Sequence, residues 1–317
     1  MTPAASTELS RLLAAMPQSS LRAELASGCC ALDYGACTVR LRGGGEGFAQ
    51  ALQRVYGAFT LVRAPAFADF HVSLEHGRGW RRWLRPQARF MIDGVQPFEP
   101  FPAGNALPLY EWGVNWCFAQ RFNQYVLLHA GVLADGERAV LMPAVPGSGK
   151  STLTAALMLG GLRLLSDEFG VLCPESGELL PMLKPVALKN QSIGVIRAFS
   201  AQACLGPVFA GTRKGDVAHL APDRASVAAR RRSARPALVI FPRYVEGAVL
   251  ELRAQAPDLS FTRLAFNSFN YATLGRVSFE AVTALAAACP AYQLTYGRLD
   301  EAVACVRELL GSGATHG

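Results

Sequence analysis

Apolar and polar positions first alternate in short runs. In "CTVRLRG" (37–43), "FHVSLEHG" (70–77) and "ARFMIDG" (88–94) apolar residues recur at every second position and a glycine closes each run. That is the pattern of short strands ended by turns. "FAQALQRVYGAF" (48–59) carries the wider spacing of a helix. The proline-rich "FEPFPAGNALP" (98–108) then marks a boundary. The pattern predicts a smaller α+β domain over 1–105, serving recognition or assembly, a second domain over 106–312, and a disordered tail over 313–317.

The second domain opens on "LYEWGVNWCFAQRF" (109–122), where Leu109, Trp112, Trp116 and Ala119 fall at helical spacing and read as core. "YVLLHAGVLA" (125–134) reads as a strand, "DGE" (135–137) as a hairpin turn, and "RAVLMPA" (138–144) as a nearly continuous apolar strand of a buried sheet. "STLTAALMLGG" (151–161) is a helix closed by glycines, and "LRLLSDEFGVL" (162–172) the next strand. "GELLPML" (177–183) and "PVALK" (185–189) read as short strands, "QSIGVIRAFS" (191–200) as a helix, and "GPVFAGTRKGDVAHL" (206–220) as a glycine-rich loop with a strand after it. "PALVIFPRYV" (236–245) and "AVLELRAQ" (248–255) look like a strand pair. Helices over 258–269, 277–288 and 299–310 follow, with the strand "AYQLTYG" (291–297) between the last two. The expected class is α/β, a mixed sheet flanked by helices.

Composition narrows the partners. Hydrophobic residues at 51% and charged residues at 17% describe a chain with a core to bury. No run of about 18 apolar residues appears, nor a basic stretch leading into an apolar one, so a cytoplasmic protein without a membrane partner is expected. None of the eight cysteines forms a C-x-x-C pair, which favours reduced thiols over zinc ligands. The net charge is +7, but arginine is spread along the chain. The densest cluster, "ARRRSAR" (229–235), lacks interleaved aromatics and reads as a solvated loop, so no nucleic-acid partner is expected. Lysine behaves differently. Of 31 basic residues the only lysines are Lys150, Lys184, Lys189 and Lys214, all within one segment. Compact ammonium groups gathered there suit phosphate.

"AVPGSGKST" (144–152) supplies the setting. It follows an apolar strand and opens a helix, as a phosphate-binding loop does: backbone N–H groups wrap the phosphates, a lysine bridges them, and the next hydroxyl meets Mg²⁺. Pro146, Gly147, Ser148, Gly149, Lys150, Ser151 and Thr152 are the candidate ATP-binding residues. Ala144 stands at the first glycine position, which is tolerated where no positive φ is required. "LLSDEFG" (164–170) brings Asp167 and Glu168 to a strand end, where one carboxylate can hold Mg²⁺ and the other can take a proton. Ser151 and Asp167 are the candidate metal ligands. His129, alone on an apolar strand, more often reads as a satisfied core residue. Lys189, Lys214 and His219 either reach the phosphates or are ordinary surface and strand residues.

The segment 126–172 resembles HPr kinase/phosphorylase, the bacterial P-loop serine kinase: His129-Ala130-Gly131 on a strand, the loop at 144–152, then Asp167-Glu168. The longer pattern is closer to the HPr kinase-related kinase A group, through "EWGVNWC" (111–117), "RLLSDEF" (163–169), "VALKN" (186–190), "TRKGDVAHL" (212–220) and "FNSFNY" (266–271). The resemblance covers most of 105–310. It implies an HPr kinase-like P-loop core that uses ATP and Mg²⁺ to phosphorylate a hydroxyl, such as serine on a peptide or small protein. It implies Asp167 as base or metal-linked carboxylate and His129 near the transferred phosphate. It makes a homo-oligomer plausible, since HPr kinases are hexamers. Glu168 stands where that family has a second aspartate, and "LKPVALKN" replaces its glutamate-isoleucine-arginine-glycine element. A nucleotide hydrolase or sensor, and a small-molecule hydroxyl kinase, remain alternative readings of the same residues.

Overall fold

The computed structural model describes residues 10–77, 84–145 and 147–312. Pro146 and the tail 313–317 lie outside the described residues. The chain is a mixed α/β protein, and its described strands form three sheets flanked by helices.

The first part comprises β1 (Ser10–Leu12), α1 (Gln18–Ser27), β2 (Cys30–Asp33), β3 (Thr38–Gly43), α2 (Gly45–Val55), β4 (Thr60–Arg63), β5 (Phe70–His76), β6 (Gln87–Ile92) and β7 (Phe101–Pro102). Its strands lie in the order β1-β4-β2-β3-β5-β6-β7. Neighbours are antiparallel except β3 and β5. In α2 the residues Phe48, Ala51, Leu52 and Val55 share one buried face, the three-four spacing that anchors a helix on a sheet. α3 (Ala106–Arg121) starts at the boundary drawn from the sequence but packs against β6 of this first sheet. Gly113 permits the approach: a Cβ there would come within 2.3 Å of the Phe90 ring. One apolar cluster runs from Leu13 to Leu310 and so joins both parts of the chain.

The chain continues through β8 (Val126–Asp135), β9 (Arg138–Pro143), α4 (Lys150–Leu159), β10 (Arg163–Ser166), β11 (Phe169–Leu172), β12 (Leu179–Leu180), β13 (Val186–Lys189) and α5 (Gln191–Phe199). β14 (Phe209–Thr212), β15 (Gly215–Leu220), α6 (Arg224–Ala228), β16 (Arg235–Tyr244) and β17 (Glu251–Gln255) follow. α7 (Pro257–Phe266), α8 (Tyr271–Leu274), α9 (Arg276–Ala288), β18 (Ala291–Tyr296) and α10 (Leu299–Ser312) complete it. The second sheet runs β12-β11-β8-β9-β16-β18-β17, with β10 also on β8. The third is β13-β15-β14.

Several details differ from the sequence reading, among them 206–220, which holds the paired strands β14 and β15 where a loop and one strand were expected. The strand expected over 162–172 is two strands: β10 pairs with Val132–Ala134 and β11 with Val126–His129, so the ladder breaks at Asp167-Glu168. β16 and β17 are not partners, because β18 lies between them. β16 has an apolar interior and is flanked by the parallel strands β9 and β18, whereas the more exposed β17 takes the sheet edge. Finally, "ARRRSAR" is not simply solvated. Arg230 and Arg231 bring their Nε atoms to 3.2 and 2.8 Å from Asp33 Oδ2, whose side chain is 4% exposed. No described helix is long and apolar enough to cross a membrane. All eight cysteines are free.

Candidate functional site

β9 delivers the glycine loop and α4 carries it away. Ala144 is buried and does not have a positive φ. Gly147 and Gly149 both sit at φ +88°, the left-handed conformation that costs an L side chain and suits glycine. Gly149 caps α4, whose first residue is Lys150. The loop is braced by the ends of β16 and β18, the next two strands of the sheet beyond β9. The Tyr244 amide donates to Ser148 O at 2.9 Å, and the Tyr296 hydroxyl lies 3.4 Å from Gly149 O. Ser151 and Thr152 are half-buried on the first turn of α4.

The break between β10 and β11 turns Asp167 toward this helix start. Ser166 shapes the break: its buried hydroxyl accepts from the amides of Glu168 at 3.3 Å and Phe169 at 3.0 Å. Lys150 Nζ donates to the Asp167 carbonyl and lies 3.8 Å from Asp167 Oδ1. Both side chains are under 10% exposed. Asp167 Oδ1 and Ser148 Oγ are buried without a hydrogen-bond partner. Buried oxygens are rarely left so, and one on the glycine loop with another 3.8 Å from Lys150 mark a place suited to further contacts.

Glu168 points to the other side of the break. Its Oε1 is 3.6 Å from His129 Nε2. Burial lowers the His129 pKa from its ordinary value and Lys150 adds to the fall, against the pull of Glu168 and Asp167. Burial alone would raise the Glu168 pKa, but Lys150, His129, Lys214 and Lys189 together outweigh it and bring it below the usual carboxylate range. The Lys189 pKa falls through burial and through repulsion from Lys214. These two lysines come from the third sheet, Lys189 at the end of β13 and Lys214 in the β14–β15 turn. Asn190 ties the end of β13 to the start of β15. Its side-chain oxygen accepts from the Asp216 amide at 3.0 Å, and its own amide donates to Asp216 O at 2.9 Å.

The chain matches no protein-family model and no curated protein. Its site therefore rests on its own geometry.

That geometry brings together Gly147, Ser148, Gly149, Lys150, Ser151, Thr152, Asp167, Glu168 and His129, with Lys189 and Lys214 close enough to act on Glu168. It leaves two expected residues out. Lys184 is buried against α3, where its Nζ meets Glu111 Oε2 at 3.0 Å and Asn115 Oδ1 at 2.6 Å. Its charge serves the core and not a phosphate. His219 is 2% exposed on β15, and its electrostatic neighbours are Glu111 and Lys184. Burial lowers its pKa. It is a strand residue of that interior cluster.

Residues 266–270 entered the sequence reading within the resemblance motif "FNSFNY", with no role assigned, and the structure shows that they hold His129. Asn267 O accepts the His129 amide at 2.6 Å, and the Phe269 amide donates to Leu127 O at 2.8 Å. The Phe269 ring lies 5.5 Å from the imidazole and 5.0 Å from Phe169. Buried Asn270 locks the segment, accepting from the Leu127 amide at 3.0 Å and donating to Tyr125 O at 2.9 Å. Apart from that resemblance, the signal in the residues themselves was two asparagines among aromatics. Tyr244 and Tyr296 carried no signal at all.

Proposed function

We propose that this chain is an HPr kinase-like P-loop phosphotransferase, which uses ATP and Mg²⁺ to phosphorylate a hydroxyl, as of a serine on a peptide or small protein. The observation that carries the reading is the Lys150–Asp167 ion pair at a glycine-capped helix start, with Asp167 Oδ1 buried and without a hydrogen bond. The donor set fits. Among the described residues no cluster of three or more His, Cys, Asp or Glu side chains forms a metal site by itself. Mg²⁺ commonly binds through one or two protein oxygens completed by phosphates and water, and Asp167 with the Ser151 hydroxyl would supply them. Bound there, the ion neutralises charge on the phosphates.

The remaining roles follow from the residues. The backbone N–H groups from Gly147 to Thr152 and the start of α4 favour a phosphate chain. Lys150 would exchange part of its contact with Asp167 for phosphate oxygens. Glu168, kept ionised by its cations and more exposed than Asp167, would take the proton of an incoming hydroxyl, with His129 beside its carboxylate. Lys189 and Lys214 would stabilise charge spread over the transferred group.

The test is transfer from γ-labelled ATP with Mg²⁺ in a dialysed cell extract, beside the Asp167→Asn variant. An acid-stable phosphoester formed by the wild type alone supports the reading and identifies the acceptor. Label found only as free phosphate replaces it with a hydrolase.

A further inference from the structure

A cleft of about 850 Å³ opens between the first sheet's helices and the end of α4. Its volume is that of small-molecule sites in general. Met158, Leu159, Leu162 and Pro222 give it an apolar floor. Arg54 on α2 and Arg224 on α6 both line it, and both are exposed. Neither has a carboxylate partner among the described residues. Arg54 Nε donates to Leu205 O at 3.2 Å, and its terminal nitrogens make no hydrogen bond or ion pair among the described residues. Arg163 also lines the cleft, but its guanidinium is turned outward onto the carbonyls of Arg232, Gly136 and Ser233. The one carboxylate present, Asp223, is occupied by the Ser226 amide and hydroxyl at 2.8 and 2.7 Å. Gln50, Gln53 and Gln202 add amides to the rim.

We propose that this cleft binds a small anionic ligand with an apolar body, and that its occupancy is coupled to the nucleotide end of the protein. The chemistry is one of unpaired guanidinium groups above an apolar floor. Arginine forks suit carboxylate, sulfonate or phosphate oxygens, and the floor suits the hydrocarbon part. The place is not that of the phosphate acceptor, because α4 separates the cleft from Lys150 by about 15 Å. The coupling follows from connectivity. Gly161 to Arg163 join the end of α4 to β10, and these elements carry Lys150 and Asp167 at their other ends. A ligand that shifts this junction shifts the two partners relative to each other. This half of the proposal rests on the nucleotide-binding reading above.

Cys204 provides a local reporter, since it lines the cleft and its Sγ lies 3.7 Å from Arg54 O. The probe is 8-anilinonaphthalene-1-sulfonate, an anion on an apolar body, titrated into the whole chain and followed by fluorescence. Alkylation of Cys204 by iodoacetamide is read by peptide mass, with Cys173 as the reference thiol outside the cleft. One saturable site is expected that shields Cys204 and leaves Cys173 unchanged. Arg54→Ala and Arg224→Ala should each weaken it about tenfold, as loss of a charge-assisted hydrogen bond does. Ala58→Trp, which fills the cleft, should abolish it. Unchanged affinity in both arginine variants, or an unshielded Cys204, overturns the site. The titration is repeated with Mg·ATP, since linkage makes any coupling reciprocal. An unchanged dissociation constant overturns the coupling. ATP binding is measured separately by equilibrium dialysis. A chain that fills the cleft but does not retain ATP refutes the nucleotide reading and leaves the cleft standing.

Discussion

Gly149 and Gly147 share the same φ, +88°, but have different neighbours. Replacing either by alanine puts an L residue in the left-handed region, at about 1–2 kcal/mol. At Gly147 a new Cβ meets nothing within 4 Å. At Gly149 it would lie 2.6 Å from Tyr296 Oη and 2.9 Å from Tyr244 Cβ. Neither tyrosine has room to withdraw. Tyr296 is 1% exposed, and the Tyr244 backbone is tied to Ser148. Overpacking of that kind adds about 1–3 kcal/mol. Gly149→Ala should therefore cost about 2–5 kcal/mol and Gly147→Ala about 1–2 kcal/mol. Urea unfolding followed by tryptophan fluorescence measures both, provided the m-value is unchanged. Tyr296→Phe removes the closer of the two contacts, so Gly149→Ala should cost less in that background, a coupling that a double-mutant cycle isolates. Equal losses in the two alanine variants, or no coupling to Tyr296, would refute the packing argument.

Asp167→Asn leaves the buried Lys150 ammonium without its carboxylate and should cost about 3 kcal/mol in urea unfolding, with part of the loss recovered by Mg·ATP as phosphate takes the carboxylate's place. Lys150→Met should abolish ATP retention in equilibrium dialysis, while Lys184→Met should destabilise the fold and leave retention intact; loss of retention in both would return Lys184 to the site. Asp33→Ala removes the carboxylate from partly buried Arg230 and should cost about 1.5–3 kcal/mol by urea unfolding, whereas Arg231→Ala, with its side chain largely in water, should cost far less. Burial keeps His219 neutral in the folded chain, so the unfolded chain binds its proton first as pH falls below about 6.5. Stability should then fall with falling pH by up to about 1.4 kcal/mol per unit from this histidine, and His219→Gln should flatten that slope in unfolding curves taken at several pH values. His129 shifts in the same direction, so His129→Gln should remove a further part of the slope.

The glycine loop and the helix after it were legible because both depend on local rules, glycine at positive φ and an apolar strand leading into a helix. The same was true of α2 and of the strands that alternate cleanly. β1, α1, β2 and β4 were not. α1 buries only Leu21 and Leu25, too few to set a period, and β2 is buried at all four positions and so shows no alternation. The grouping of lysines in the sequence was real, but it mixed two environments. Lys150, Lys189 and Lys214 act on Glu168, whereas Lys184 answers Glu111 on α3, seventy-three residues earlier, which no local pattern reveals. The misplaced partnership of β16 and β17 has the same origin. Nearness in the chain suggested a hairpin, and a strand made later took the place between them.

The brace from Tyr296 sets an order in time. Its hydroxyl supports Gly149, but it is added 147 residues later. At ribosomal rates of about 5–20 residues per second that interval is roughly 7–30 s. For that period β9, the glycine loop and α4 exist with their far support unmade, and β16 lacks the neighbour that completes its ladder. A nascent chain can thus collapse around its first sheet well before it can hold the loop in shape. Truncation between β16 and β18 leaves a chain with every residue of the loop and the Tyr244 tie to Ser148, but without the hydroxyl that supports Gly149.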